Sequence, residues 1–206
     1  TLGILGEVTI NYADGTTDTI GTDEQFVSTT GKYVYSDIFI GEKQDLRLLA
    51  DDWETDFDCN GAEKVKIADY SFDNLVPQKG AYVTAQEEIA PIAIWKESDA
   101  HIIDFGQVIA GRMRLEIALK AGQEIVLEHS ETLNEEGLFF NNIVGRNKDQ
   151  RDVYIGRGQK ELLEPDFTFH GFRYVRLSGY DGALDKASLK AIVLHTDMRK
   201  TGNFRT

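Results

Sequence analysis

The sequence predicts an all-β chain of two β-sandwich, jelly-roll-like domains, the first of them incomplete. Three observations carry this. Apolar and polar residues alternate with a period of two along most ordered-looking stretches, glycine-bearing turns separate those stretches, and no long segment repeats its apolar residues every 3.6 positions.

The elements follow in chain order. Val8, Ile10 and Tyr12 alternate with Thr9 and Asn11, the pattern of a half-buried strand. Asp14-Gly15 follows at once, then a second run from Thr16 to Ile20, so the pair reads as a hairpin closed by a residue that tolerates positive φ. Gln44 to Trp53 is the best helix candidate, with Leu46, Leu49, Ala50 and Trp53 on one side. Cys59-Asn60-Gly61 reads as a turn, and Asp69 to Gly80 as a loop, with Asn74, Pro77 and Gly80 as breakers. A boundary near Glu87 to Pro91 divides the chain into residues 1–89 and 90–199, and residues 200–206 begin a linker.

The second half repeats the alternation more clearly. Met113, Leu115, Ile117 and Leu119 point one way, and Arg112, Arg114 and Glu116 the other. Ala121-Gly122 turns the chain into a strand with Ile125, Leu127 and His129 on one face. Phe172 to Ser178 and Leu189 to Thr196 are further strands; the second is apolar on both faces and is therefore expected to be central and covered.

Composition excludes several function classes. With 35 acidic against 22 basic residues the net charge is -13, which disfavours nucleic acid and anionic membrane surfaces as partners. The charge suits cations or neutral ligands such as sugars. The longest apolar stretch, Ala90 to Trp95, falls far short of the roughly 20 residues of a membrane span. A single cysteine, Cys59, rules out an internal disulfide and favours a cytoplasmic over a secreted location. The chain opens directly into strand-like sequence with no leader pattern at Thr1, as a piece cut from a longer protein would.

Candidate chemistry is sparse. Glu128, Glu131, Glu135 and Glu136 crowd one stretch, and Glu161, Glu164 and Asp166 another. Glycoside hydrolysis needs two carboxylates flanking the scissile bond, but an acidic chain brings carboxylates together by chance, and solvated strand ends explain these. His101, His129, His170 and His195 fit no metal-binding spacing. His129 and His195 fall on faces that look buried, so both read as hydrogen-bonded core histidines. The glycines of Asp104-Phe105-Gly106-Gln107 and Ala110-Gly111-Arg112 have the wrong spacing for a phosphate loop and predict a tight turn or bulge between strands. Asp37, Glu42 and Asp45 surround Gly41 and could offer oxygen ligands to calcium, or polar contacts to a sugar beside Tyr33, Tyr35, Phe39 and Trp53. Loop or helix capping, and core packing of the aromatics, are the competing explanations.

Several strings resemble one family. Tyr12-Ala13-Asp14-Gly15-Thr16, Thr22-Asp23-Glu24 and Tyr35-Ser36-Asp37-Ile38 with Gly41-Glu42 are similar to the N-terminal domain of bacterial α-L-rhamnosidases. Asp104-Phe105-Gly106-Gln107-Val108-Ile109-Ala110-Gly111, Glu128-His129-Ser130-Glu131-Thr132-Leu133 and Phe167-Thr168-Phe169-His170-Gly171-Phe172-Arg173-Tyr174-Val175 resemble strings of that family's next domain. Thr201-Gly202-Asn203-Phe204 is similar to the start of its catalytic domain. Ile40 stands where the family often has Asp or Asn, and Val108 where it has Asn; the Trp expected near Ala62 is missing.

The resemblance implies an inverting glycoside hydrolase whose acid and base sit on an (α/α)6 barrel. This chain would then be an accessory region, inactive alone, with the catalytic domain of the same polypeptide as its partner. The alternative is a module that binds a rhamnose-containing carbohydrate, with calcium in some relatives; Asp37 and Glu42 are its candidate ligands. Strands missing before Val8 would leave exposed edges at Val8 to Tyr12 or Lys43 to Leu48, and so a route to homo-oligomers.

Overall fold

The structure is a computed structural model and describes residues 3–48, 61–143 and 149–204. It is all-β. Among the described residues, no helix is long and apolar enough to cross a membrane. The chain separates into two compact units, residues 1–30 with 50–79 and residues 31–49 with 80–206.

The first unit is built on two short antiparallel pairs. Strands β1 (Glu7–Asn11) and β2 (Thr17–Gly21) form the hairpin expected around Asp14-Gly15. Gly15 takes φ +87°, and Asp14 Oδ1 accepts from the Thr16 amide at 2.9 Å and from its hydroxyl at 2.7 Å. Strands β3 (Val27–Ser28) and β6 (Glu63–Lys64) make the second pair. Val8, Ile10 and Ile20 share one hairpin face and stay exposed. Among the described residues strand β1 pairs with β2 alone, so the edge expected at Val8 to Tyr12 is open among them.

The second unit holds a ten-stranded sheet. Its main path runs β4 (Tyr33–Asp37), β5 (Gly41–Asp45), β11 (Arg151–Ile155), β10 (Glu124–Ser130), β13 (His170–Ser178), β9 (Ala100–Ala118), β14 (Leu189–Thr196), β7 (Val83–Ile89). Strands β8 (Ala93–Glu97) and β12 (Lys160–Leu163) pair with opposite ends of β9. That 19-residue strand runs through the whole sheet and lets it curl onto itself. The main core fills the curl, with Ile103, Phe105, Met113, Leu115, Ile125, Leu127, Phe172, Val175, Leu177 and Leu189 among its buried members, and a smaller cluster gathers Ile102, Phe139 and Tyr174.

Strand β14 lies between β9 and β7, in keeping with its two apolar faces. Of the turn or bulge expected over Asp104 to Arg112, the bulge is present: β9 continues through the segment, its register against β13 shifts between Asp104 and Ile109, and Gly106 takes φ +83°. A side chain at Gly111 would sit 2.1 Å from the Ile192 carbonyl oxygen, so glycine there permits the close approach of β14.

Three expectations need correction. The helix over Gln44 to Trp53 is absent where it can be seen: Gln44 and Asp45 end β5, and one 3-10 turn spans Leu46–Leu48. Ladder bonds from β11 hold these residues extended, overriding a weak local pattern; Leu49 to Trp53 lie outside the described residues, as does Cys59. Lys43 to Asp45 are no edge, because β5 sits between β4 and β11. His195 is exposed near the end of β14 rather than in the core. The two compact units are not contiguous in sequence: β4, β5 and β7 all join the larger sheet.

Candidate functional site

Two polar constellations stand out in the second unit. The first lies inside it, where β10, β11 and β13 run side by side. Alternation aims His129 inward after Ile125 and Leu127, and it aims Asp152 and His170 toward the same point. His129 and Asp152 are fully buried and His170 is 1% exposed.

Gln150 organises both rings. Its backbone takes φ +52°, unusual for a residue with a side chain. Its carbonyl accepts from His129 Nδ1 at 3.0 Å, and its side-chain Oε1 lies 3.1 Å from His170 Nδ1. His170 Nε2 donates to the Asp152 carboxylate, 2.9 and 3.0 Å from its two oxygens. Asp152 Oδ1 also accepts from the Glu42 amide at 3.1 Å. His129 Nε2 has no hydrogen-bond partner and lies 3.8 Å from Asp152. Burial, then the neighbouring His170, push the His129 pKa down to about 3 against the pull of Asp152, so its ring is neutral. Tyr154 presents a buried hydroxyl without a partner nearby in the sequence of β11, its pKa pushed up by burial and by the Asp152 and Glu42 carboxylates.

Among the described residues, His129, Asp152 and His170 are the one group of three side chains close enough to share a metal ion, their ligand atoms lying within 4.8 Å of one another. Their arrangement does not suit one. A zinc-like ion needs lone pairs converging on a point about 2.0–2.1 Å from each nitrogen. The two imidazoles instead stack, with centroids 4.0 Å apart and planes at 20°. In-plane lone pairs on stacked rings run side by side. The cluster is a hydrogen-bonded lock across three strands.

Glu42 extends this lock. It is fully buried, and its carboxylate accepts from the Asp166 amide at 3.0 Å, the Phe167 amide at 2.9 Å and Gln44 Nε2 at 2.6 Å. A sugar or calcium ion reaching Glu42 would have to displace these donors. Asp37 is exposed; its Oδ1 accepts from the Phe39 amide at 2.7 Å, and its carbonyl faces the Thr168 hydroxyl at 3.4 Å. Asp45 pairs with Arg47, 2.8 and 2.7 Å apart through two bonds, which hold its pKa down. Asp37, Glu42 and Asp45 thus serve three separate networks.

The second constellation is a cleft of about 360 Å³ lined by Lys32, Gln44, Leu46, Arg112, Arg114, Glu161, Leu162, Glu164 and Asp166. It gathers the carboxylates of 161–166 that stood out in the sequence. Arg114, on β9, donates to Glu164 at 2.5 Å, and Arg112, two residues earlier, makes a charge contact with the same carboxylate at 2.6 Å without a hydrogen bond. Arg112 donates to the Pro165 carbonyl at 3.0 Å, and Arg114 also to Glu88 at 2.6 Å. Lys32 and the Tyr33 hydroxyl meet at Asp166 Oδ2, 3.1 and 2.5 Å away. Glu161 pairs with Arg157 at 2.7 Å. The other sequence cluster is split: Glu128 is buried between Arg151 and Arg176, while Glu131, Glu135 and Glu136 are exposed.

Chemically, these carboxylates are spent. Each buried one among the described residues, Glu42, Asp45, Asp104, Glu128, Asp152 and Glu161, is held by a guanidinium, an imidazole or backbone amides. The carboxylates whose pKa moves, Asp14, Asp45 and Asp104, all move down. At Asp104 burial works the other way, and Arg173 with the Gly106 amide outweighs it. A general acid for glycoside cleavage needs the opposite shift. The signal for the interior lock was present in the sequence as His129 on an inward strand face and His170 in a family-like string. Nothing local marked Asp152 or Gln150.

Comparison with known proteins places these features in context. The family described as "Bacterial alpha-L-rhamnosidase concanavalin-like domain" matches residues 95–195, and "Alpha-L-rhamnosidase N-terminal domain" matches residues 1–87. An α-L-rhamnosidase from Streptomyces avermitilis is 32% identical over 215 residues, covering 98% of this chain and 20% of the relative. One from Formosa agariphila is 32% identical over 203 residues, covering 95% of this chain and 21% of the relative. Among solved structures, native α-L-rhamnosidase from Aspergillus terreus matches with a TM-score of 0.89 at 30% identity, over 98% of this chain and 24% of that one. The Streptomyces avermitilis enzyme complexed with L-rhamnose matches with a TM-score of 0.87 at 31% identity, over 94% of this chain and 19% of that one. This chain therefore spans about one fifth of the length of the curated relatives it matches.

Proposed function

Because the chain belongs to the bacterial α-L-rhamnosidase family, whose N-terminal and concanavalin-like domains it carries, we propose that it acts as a non-catalytic accessory region of an α-L-rhamnosidase. In this reading the parent enzyme removes terminal α-L-rhamnose from glycosides, and this region supports or walls its catalytic (α/α)6 barrel. The observation that carries it is the state of the carboxylates. Every buried one among the described residues is tied to a cation or to backbone amides, which leaves no poised acid and base facing a shared cleft. A rigid, cross-tied sheet is what a supporting wall requires.

The test is direct. The purified chain should leave an aryl α-L-rhamnoside intact, while a longer protein that adds the catalytic domain turns it over. Adding this chain in trans to a separately made catalytic domain should raise that domain's thermal midpoint or its activity. Hydrolysis by the chain alone would overturn the proposal.

A further inference from the structure

The cleft between β5, β9 and β12 has a composition that selects for a particular kind of ligand. Its walls carry three cationic side chains, Lys32, Arg112 and Arg114, and three anionic ones, Glu161, Glu164 and Asp166. The six charges cancel, and they are paired with one another or with Glu88 and Arg157 at the rim. A bound anion would have to compete with Glu164 for both guanidiniums. A bound cation would have to compete with Lys32 for Asp166. Neither ion gains from entering.

A neutral polyhydroxyl molecule meets no such competition. Glu164 holds the Arg114 guanidinium by a hydrogen bond, and the Pro165 carbonyl holds that of Arg112 beside the same carboxylate, so their remaining N–H groups are oriented before any ligand arrives. Lys32 and Tyr33 converge on Asp166 Oδ2, which leaves Oδ1 as an acceptor. The Gln44 side chain is held through its Nε2 by Glu42 and the Glu164 carbonyl, which leaves Oε1 as another. Leu46 and Leu162 supply an apolar patch, and Leu162 is 67% exposed at the mouth. The volume, about 360 Å³, falls within the roughly 300–1,000 Å³ of small-ligand sites.

We infer that this cleft binds a neutral monosaccharide unit of a glycoside, with Arg112 and Arg114 as hydroxyl donors, Asp166 and Gln44 as acceptors, and Leu162 against the carbon face of the ring. The inference rests on the accessory reading only for the choice of sugar. The charge balance of the cleft stands apart from it.

The experiment is an amide-resolved NMR titration of the full 206-residue chain with L-rhamnose, D-glucose and D-glucuronate, each to tens of millimolar. The expected result is saturable shifts for at least one neutral sugar at Gln44, Arg112, Arg114, Leu162 and Asp166, with at least fivefold weaker binding of glucuronate. Leu162→Glu, a change on the exposed rim that spares every ion pair, should weaken the response at least fivefold and leave the remaining spectrum in place. No saturable shift for either neutral sugar overturns the inference, as do shifts centred on Asp37 and Phe39, or glucuronate binding as well as the neutral sugars. Failure here leaves the trans-complementation result for the catalytic domain standing, so the two readings fail separately.

Discussion

The backbone amide of Glu42 donates to the Asp152 carboxylate across 110 residues of chain, at 3.1 Å and out of solvent. The same carboxylate receives His170 Nε2. One buried side chain thus ties β5 to β11 and β11 to β13, while the Glu42 carboxylate holds the amides of Asp166 and Phe167.

Removing that tie should be costly. Asp152→Ala leaves the Glu42 amide and the His170 Nε2 proton buried without an acceptor, and each such loss costs about 1–3 kcal/mol. We expect a destabilisation of about 3 kcal/mol in chemical denaturation of the full chain. Asp152→Asn, which keeps one acceptor oxygen, should lose clearly less. Equal losses would mean that the hydrogen bonds contribute little.

Gly41 is the point where β5 meets β11 most closely. It has φ +103°, and a Cβ there would lie 1.8 Å from the Arg151 carbonyl oxygen. Gly41→Ala must therefore strain the backbone and push β5 off its partner. A loss of about 2–4 kcal/mol is expected, with faster amide exchange at Lys43 to Asp45. Gly15→Ala makes a good control, because φ is +87° there but no atom lies within 4 Å. It should lose only about 1 kcal/mol.

Stability should fall in mild acid. The folded pKa of His129 is about 3 against an ordinary 6.5, because the ring is buried beside His170. Between those values the unfolded chain binds the extra proton and the folded chain does not. The contribution is complete above pH 6.5 and declines as pH falls toward 3, by up to about 1.4 kcal/mol per unit. Asp104, held down by Arg173, adds a loss of the same sign below its ordinary 3.8. His129→Gln should flatten the profile between pH 4 and 6 in denaturation midpoints. An unchanged slope would assign the acid sensitivity to other groups.

The hairpin of the first unit leaves Val8, Ile10 and Ile20 on an exposed face, with one side of β1 unpaired among the described residues. Such an edge invites pairing with another copy. Sedimentation should show self-association that rises with concentration, and the double variant Val8→Lys, Ile20→Glu should reduce it without lowering the unfolding midpoint by more than about 0.5 kcal/mol equivalent. A wild-type chain monomeric at every concentration would falsify this.

Much of the strand content was legible because period two is a local property. The run Met113, Leu115, Ile117, Leu119 needs no knowledge of its partner to declare a buried face, and all four are buried. Asp14-Gly15 and Ala121-Gly122 announced their turns through positive φ, which glycine adopts at no steric cost. The family strings were equally local. Residues 41–45 were not legible as a strand. Gly-Glu-Lys-Gln-Asp has little β-propensity, and its buried Glu42 and Gln44 are tolerable only because Asp166, Phe167 and Glu164 supply partners from more than 100 residues away.

The amino-acid sequence by itself thus determined the all-β class, the hairpins, and the inward face of β9 and β10. Only the tertiary structure decided that His129, His170 and Asp152 meet, that Gln150 caps both rings, and that Glu164 is neutralised by two arginines of β9 while Glu161 pairs with Arg157 and Asp166 with Lys32. The physical reason is separation in chain. Alternation is written into neighbouring residues, whereas burying a polar side chain depends on which distant donor or acceptor the sheet brings to it.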